Sequence, residues 1–270
     1  MLRFVALTVG TGLVLGMASA EDTPADKLIR KAIADLEAGR AKLDDQLEHA
    51  KVDKAIRELE SVVDGDEKPA KPAALAFEVT PALLKKKFAA TRAVYNPKNG
   101  ELTLAYDFPG KAALSDFNVT DQKIAIAKKT LMMDAAETLQ HKAKWKSFTV
   151  STTLHFKGMR SIGISSTNGS HLGSGGANPD TMYLNATDAG TTTKIVPDKV
   201  RSGTVVIGLS VNENKTSGVW GTERLALPTS RKDDVHQLTF HAGTEGCGFS
   251  NLVIVGVPDP AWLKEFLGAE

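Results

Sequence analysis

Two periods divide the chain. From Pro24 to Val63 apolar residues recur at helical spacing: Ile29, Ile33 and Leu36, then Leu43 and Leu47, then, after a phase shift, Ile56, Leu59 and Val63. Pro24 suits a first helical turn, and Asp26 complements the positive end of a helix dipole. The stripe is narrow and the rest of the surface is charged, so such a helix must dock against something to be stable. Beyond Ala90 the period falls to two. Leu102, Leu104 and Tyr106 alternate with Thr103, Ala105 and Asp107. Phe148, Val150, Thr152, Leu154 and Phe156 form a longer rhythm that predicts a strand crossing a broad sheet. Ile124 and Ile126, Met182 and Leu184, Val205 to Leu209, Leu238 and Phe240, and Leu252 to Val255 continue the series. Asn99-Gly100, Asn168-Gly169, Gly173 through Gly176 and Asn212 to Asn214 supply turn chemistry between them, because Gly and Asn tolerate positive φ. The intervals lack the helix-length crossovers of a parallel sheet. Two packed antiparallel sheets bury such alternating faces.

The boundaries follow from the breaks in pattern. Residues 1–20 carry Arg3, an apolar run from Phe4 to Leu15 and Ala18-Ser19-Ala20, the arrangement of a signal peptide cleaved before Glu21. Residues 21–64 form a charged helical arm, and 65–76 a linker in which Gly65, Pro69 and Pro72 stop the helix and prevent its restart. Residues 77–270 form the β-domain, with Pro81 opening a single helical turn after a short strand, and a short closing helix bearing Trp262. These features predict export to the periplasm or beyond, with no membrane association after cleavage. The arm is a candidate for self-association or for docking on its own domain.

Composition narrows the chemistry. The net charge is +1 with no concentrated basic stripe, which argues against nucleic acid as a partner. Cys247 is the one cysteine, so no intramolecular disulfide and no Cys-rich zinc site can form, and a buried apolar role is expected for it. The histidines of the β-domain, among them His155, His171, His236 and His241, share no zinc-binding spacing. His236 and His241 differ by five, which places them on opposite faces of a regular strand. Ser161, Ser165 and Ser166 lie near glycine without a Gly-x-Ser-x-Gly elbow. Gly173-Ser174-Gly175-Gly176 lacks the Lys-Ser/Thr ending of a phosphate loop and reads as a surface turn.

The end of the chain, Gly248-Phe249-Ser250-Asn251-Leu252-Val253-Ile254-Val255-Gly256 followed by Pro258-Asp259-Pro260-Ala261-Trp262-Leu263, resembles the last strand and closing helix of a concanavalin A-like, laminin-G-like jelly roll. Tyr106-Asp107-Phe108, Asp116-Phe117 and the strand from Lys146 to Lys157 fit the order of such domains. The resemblance runs from about Glu101 to Leu267. It is to the 3-keto-disaccharide hydrolase-like domains of exported bacterial proteins of planctomycete type. It implies a mainly β, concanavalin-like antiparallel β-sandwich carrying an N-terminal helical arm. It also implies a carbohydrate or cell-envelope component as partner, and calcium as a ligand of some members, for which Asp180 and Asp188 would supply oxygen. Laminarinase-type members carry Glu-x-Asp-x-x-Glu on one strand, with a retaining pair about 5–5.5 Å apart. No such run occurs in this β-domain, so no catalytic residue is assigned.

The loop neighbourhood of the long strand supplies the candidate ligand-binding residues: Asn168, His171, Asn178, Asp180, Trp220, Glu223 and Arg224. An aromatic ring stacks on a sugar face, and the polar groups hydrogen-bond to hydroxyls. The reading favoured is an exported, non-catalytic sandwich that binds carbohydrate or a surface component, with no cofactor. The alternatives are a glycoside or 3-keto-disaccharide hydrolase-like enzyme, with Glu223 converging on His171 or Asp180, and a purely structural or interaction protein.

Overall fold

The computed structural model describes residues 31–32, 34–36, 75, 77–119, 123–175, 180–229 and 234–268. The expected signal peptide and linker, and most of the arm, lie outside the described residues. Residues 31–32 and 34–36 are helical, with Lys31 and Asp35 ion-paired at 3.1 Å one turn apart.

The β-domain opens with helix α1 (Pro81–Lys87), preceded by extended chain rather than the expected strand. Thr80 caps it, its Oγ1 accepting from the Leu83 amide at 3.2 Å, and Pro81 occupies the first turn, where no amide partner is needed. The strands are β1 (Arg92–Asn96), β2 (Glu101–Tyr106), β3 (Phe117–Asn118), β4 (Ile124–Ala127) and β5 (Thr130–Met133). Next come β6 (Thr138–Phe156), β7 (Ile162–Ser166), β8 (His171–Ser174), β9 (Thr181–Ala186) and β10 (Gly190–Ile195). The last are β11 (Gly203–Val211), β12 (Lys215–Trp220), β13 (Glu223–Pro228), β14 (His236–Ala242) and β15 (Cys247–Pro258). Helix α2 (Pro260–Leu267) closes the domain, capped by Asp259 and ended by Gly268 in the left-handed region at φ 68°.

All pairings are antiparallel and form a two-layered β-sandwich. Sheet one runs β1-β2-β15-β6-β11-β12-β13, with β5 and β4 continuing beside β15; sheet two runs β3-β6-β14-β7-β8-β9-β10. β6 belongs to both. Its first half pairs with β3 and β14, and its second half with β15 and β11. Strict alternation along such a strand would turn the wrong side chains inward in one sheet. The ladder with β15 slips by one residue at Lys146, so Leu139, His141, Ala143 and Trp145 face the core before it, and Phe148, Val150, Thr152, Leu154 and Phe156 after it. A second slip at Asn251, held at φ 56°, does the same for β15: Cys247 and Phe249 face inward before it, Leu252 and Ile254 after.

The core between the sheets is continuous and includes Trp145, Trp220, Phe240, Phe249 and Leu172. Each such side chain, fully buried, contributes about 1.5–3 kcal/mol. The sheets approach closely at Gly218, where a Cβ would lie 2.6 Å from a Leu172 methyl. Phe88, Trp262 and Phe266 stack at 4.8–6.4 Å between centroids and join the two helices. Cys247 is buried, with its thiol pushed up to about 12 by desolvation.

A buried polar chain anchors the end of sheet two. The Ala143 amide donates to His141 Nδ1 at 3.1 Å, leaving the proton on Nε2, which donates to the Tyr106 oxygen at 2.8 Å. The Tyr106 hydroxyl in turn donates to Asp116 Oδ2 at 2.8 Å, which also accepts from the Ala89 and Ala90 amides. Burial, with Lys142 nearby, lowers His141 to about 3. The unfolded imidazole therefore binds a proton that the folded one refuses, so its contribution is complete above pH 6.5 and is lost as pH falls toward 3. Asp116 is raised by desolvation and acts in the opposite sense. Urea denaturation midpoints should therefore fall as pH is lowered from 6.5 toward 4. The fall should be shallower in His141→Gln; equal slopes for the two proteins would contradict the assignment.

Candidate functional site

The outer face of sheet two carries a compact group of polar and aromatic side chains. On β9 the alternation that turns Met182 and Leu184 inward turns Tyr183 and Asn185 outward. His171 on β8 pairs in register with Ser165 on β7 and Asn185 on β9, and Gly173 pairs with Gly163 and Tyr183. β14 lies on the far side of β7 and presents His241 beside Gly163. His171 and His241 lie with ring centroids 5.2 Å apart, and Tyr183 meets His171 edge-on at 5.2 Å. Ser165 Oγ and His241 Nε2 share a hydrogen bond of 2.7 Å.

Two glycines form the floor of this group. A Cβ on Gly173 would lie 2.6 Å from the Tyr183 phenol and 2.9 Å from His171 Nε2; one on Gly163 would lie 2.8 Å from the same nitrogen. The rings thus lie low over backbone that only glycine leaves bare. His171 Nε2 is buried there with no hydrogen-bond partner among the described residues, a cost that ordinary surfaces seldom carry.

Burial holds both imidazoles neutral. Desolvation, with the neighbouring His241 second, lowers His171 to about 4, and desolvation lowers His241. Tyr183 is raised by desolvation and keeps its proton. No Asp or Glu occurs in any of the strands of sheet two. The group is therefore uncharged at neutral pH, and offers ring faces and neutral donors and acceptors without a strand-borne carboxylate. Among the described residues no three His, Cys, Asp or Glu side chains converge as a metal site.

The residues expected from the sequence do not form one constellation. His171 belongs to this face, and Asn168 lies in the β7–β8 turn beside it. Asn178 is outside the described residues. Trp220, expected as a stacking ring, is 0% exposed; it packs edge-on against Phe156 and donates from Nε1 to the Val200 carbonyl at 3.1 Å, so it is core. Asp180 pairs with Arg201 at 3.4 Å, and Arg201 also holds Asp198 at 2.6 Å. Glu223 pairs with Lys194 at 2.6 Å and fastens β13 of sheet one to β10 of sheet two. Arg224 is exposed on the outer face of sheet one. The two carboxylates that a hydrolase reading would bring together are each ion-paired, Glu223 with Lys194 and Asp180 with Arg201.

Gly173-Ser174, read from the sequence as a surface turn, is the strand β8, with Ser174 Oγ on the Ile162 carbonyl at 3.4 Å. Tyr183 was not among the expected residues, although its place between Met182 and Leu184 turns it outward. A glycine inside a strand often marks the close approach of another group, and Gly173 carries that signal. His236 and His241 do lie on opposite faces: His236 is buried against Phe148, and His241 faces outward.

Gly173→Ala is expected to lower stability by about 1–3 kcal/mol in urea denaturation and to displace the Tyr183 ring, shifting its NMR resonances. Unchanged stability and shifts would show that the rings do not rest on this floor.

No protein-family model matches the chain, and no curated protein matches it. Among solved structures, a variant of LamA from Zobellia galactanivorans in complex with laminaritriose and laminaritetraose is 10% identical, covering 62% of this chain and 99% of that one at a TM-score of 0.45. The kappa-carrageenase of Pseudoalteromonas carrageenovora is 9% identical, covering 60% and 97% at 0.42. The apo Crh5 transglycosylase is 11% identical, covering 58% and 85% at 0.47. Likeness at this level transfers neither a residue's role nor a ligand.

Proposed function

We propose that this protein is an exported, non-catalytic sandwich that binds a neutral carbohydrate on the outer face of sheet two. The observation that carries the reading is the uncharged group of His171, Tyr183, His241 and Ser165 on a sheet whose strands hold no carboxylate. An aromatic ring and a close pair of neutral imidazoles suit a ligand that presents C–H faces and hydroxyls together. The ligand's hydroxyls replace water at the exposed edge of this group without the cost of desolvating a charge. Glycoside cleavage by the paired-carboxylate route needs an acid and a base or nucleophile flanking the bond, and no strand of this face supplies either.

Calorimetry with a panel of neutral β-glucan, galactan and chitin oligosaccharides tests the reading. Saturable binding without release of reducing ends is expected, and Tyr183→Ala should weaken it about tenfold, the equivalent of about 1.4 kcal/mol. Binding should be level near neutral pH and weaken as pH falls toward about 4, where His171 takes up its proton. Turnover of any panel member, or binding indifferent to Tyr183→Ala, would overturn the proposal.

A further inference from the structure

The outer face of sheet one differs from a solvated sheet. From Thr103 on β2 to Val219 on β12, each ladder-paired outward position opposite or beside residues 147–153 of β6 is Ala, Gly, Ser, Thr or Val, and the bulged Asn251 adds an uncharged amide beside Thr153. Charged residues stand only at the rim, as Arg92, Glu101, Lys215 and Arg224. Ala105 and Val253 point away from the core, yet are only 8% and 4% exposed and form their own apolar cluster with Val255. In the ladders Ala105 lies between Arg92 and Val253, and Val253 lies between Ala105 and Ser151. An uncharged, flat centre inside a charged rim is the composition of a covered surface.

We propose that the N-terminal arm, residues 21–64, lays its apolar stripe across this face. The described part of the arm is helical and two-sided: Lys31, Ala34 and Asp35 are exposed, while Ala32 and Leu36, one turn apart, are half-buried. A polar helix with so narrow a stripe is marginal alone and needs an apolar surface. The dimensions match, because seven strands span about 30 Å and so does a helix of about 20 residues. The chain can also reach. Described residues resume at Leu75 and lead through α1 into β1, the edge strand of sheet one, and the intervening linker extends to about 40 Å. The small side chains of the sheet admit a helix at close range, which a face lined with Lys and Glu would hold off.

The test is limited trypsin digestion of the full chain, whose arm contains many Lys and Arg, beside Ser151→Lys at the centre of the face and Leu36→Asp on the arm. The arm should resist cleavage in the unaltered chain and be cut at least tenfold faster in each variant, with Trp145 and Trp220 fluorescence showing an intact core. Leu36→Asp lies outside the sandwich and decides the matter if Ser151→Lys fails to fold. Equal cleavage rates in all three proteins would overturn the proposal. So would protection that disappears on dilution together with a dimeric mass by light scattering, because the occupant would then be a second copy.

Discussion

The structure depends on one strand serving two sheets. A strand has a side-chain period of two, so β6 can bury its apolar side in both layers only by changing phase where it passes from one to the other. The extra residue at Lys146 makes that change. Without it, either Trp145 and Leu139 or Phe148 and Val150 would face water, at a cost of several buried side chains. The matching slip at Asn251 lets β15 follow along the second half of β6. Every other strand is placed, directly or through neighbours, by its ladder to one of these two.

That division gives the outer faces different characters. On sheet two the short strands β7 and β8 carry glycine opposite glycine, and the rings of His171 and of Tyr183 on β9 settle onto the bare backbone. Low position means partial burial, and partial burial keeps the imidazoles neutral and the phenol protonated. On sheet one the outward positions beside β6 are small and uncharged, a composition suited to contact with another apolar surface. The polar side chains that carry formal charge near the sandwich edge, Glu223 with Lys194 and Asp180 with Arg201, are spent on fastening strands and turns.

The fold was largely legible because burial writes its period directly into the strands: the alternations at Leu102, Phe148, Met182, Val205, Leu238 and Leu252 all mark strands. The first half of β6 was hidden by its phase change, so the strand expected from Lys146 to Lys157 begins instead at Thr138. The site was legible only at His171 and, beside it, Asn168. Trp220 was misleading because a tryptophan after a polar turn looks the same in sequence whether it faces the core or a ligand. Tyr183 and His241 depend on which face of which sheet each strand turns outward, and Gly173 on what lies above it. These are properties of the pairing between strands, which no single segment records.

The central claim is that ligand recognition occurs at the uncharged group of His171, Tyr183, His241 and Ser165 on the outer face of sheet two. Its most direct measurement is a ¹³C-resolved NMR titration of the histidine and tyrosine ring resonances with the oligosaccharide panel. The account predicts that His171, His241 and Tyr183 shift together and saturably while His141 and His236, inside the core, stay fixed. Shifts confined to other rings, or none with a ligand that demonstrably binds, would contradict it.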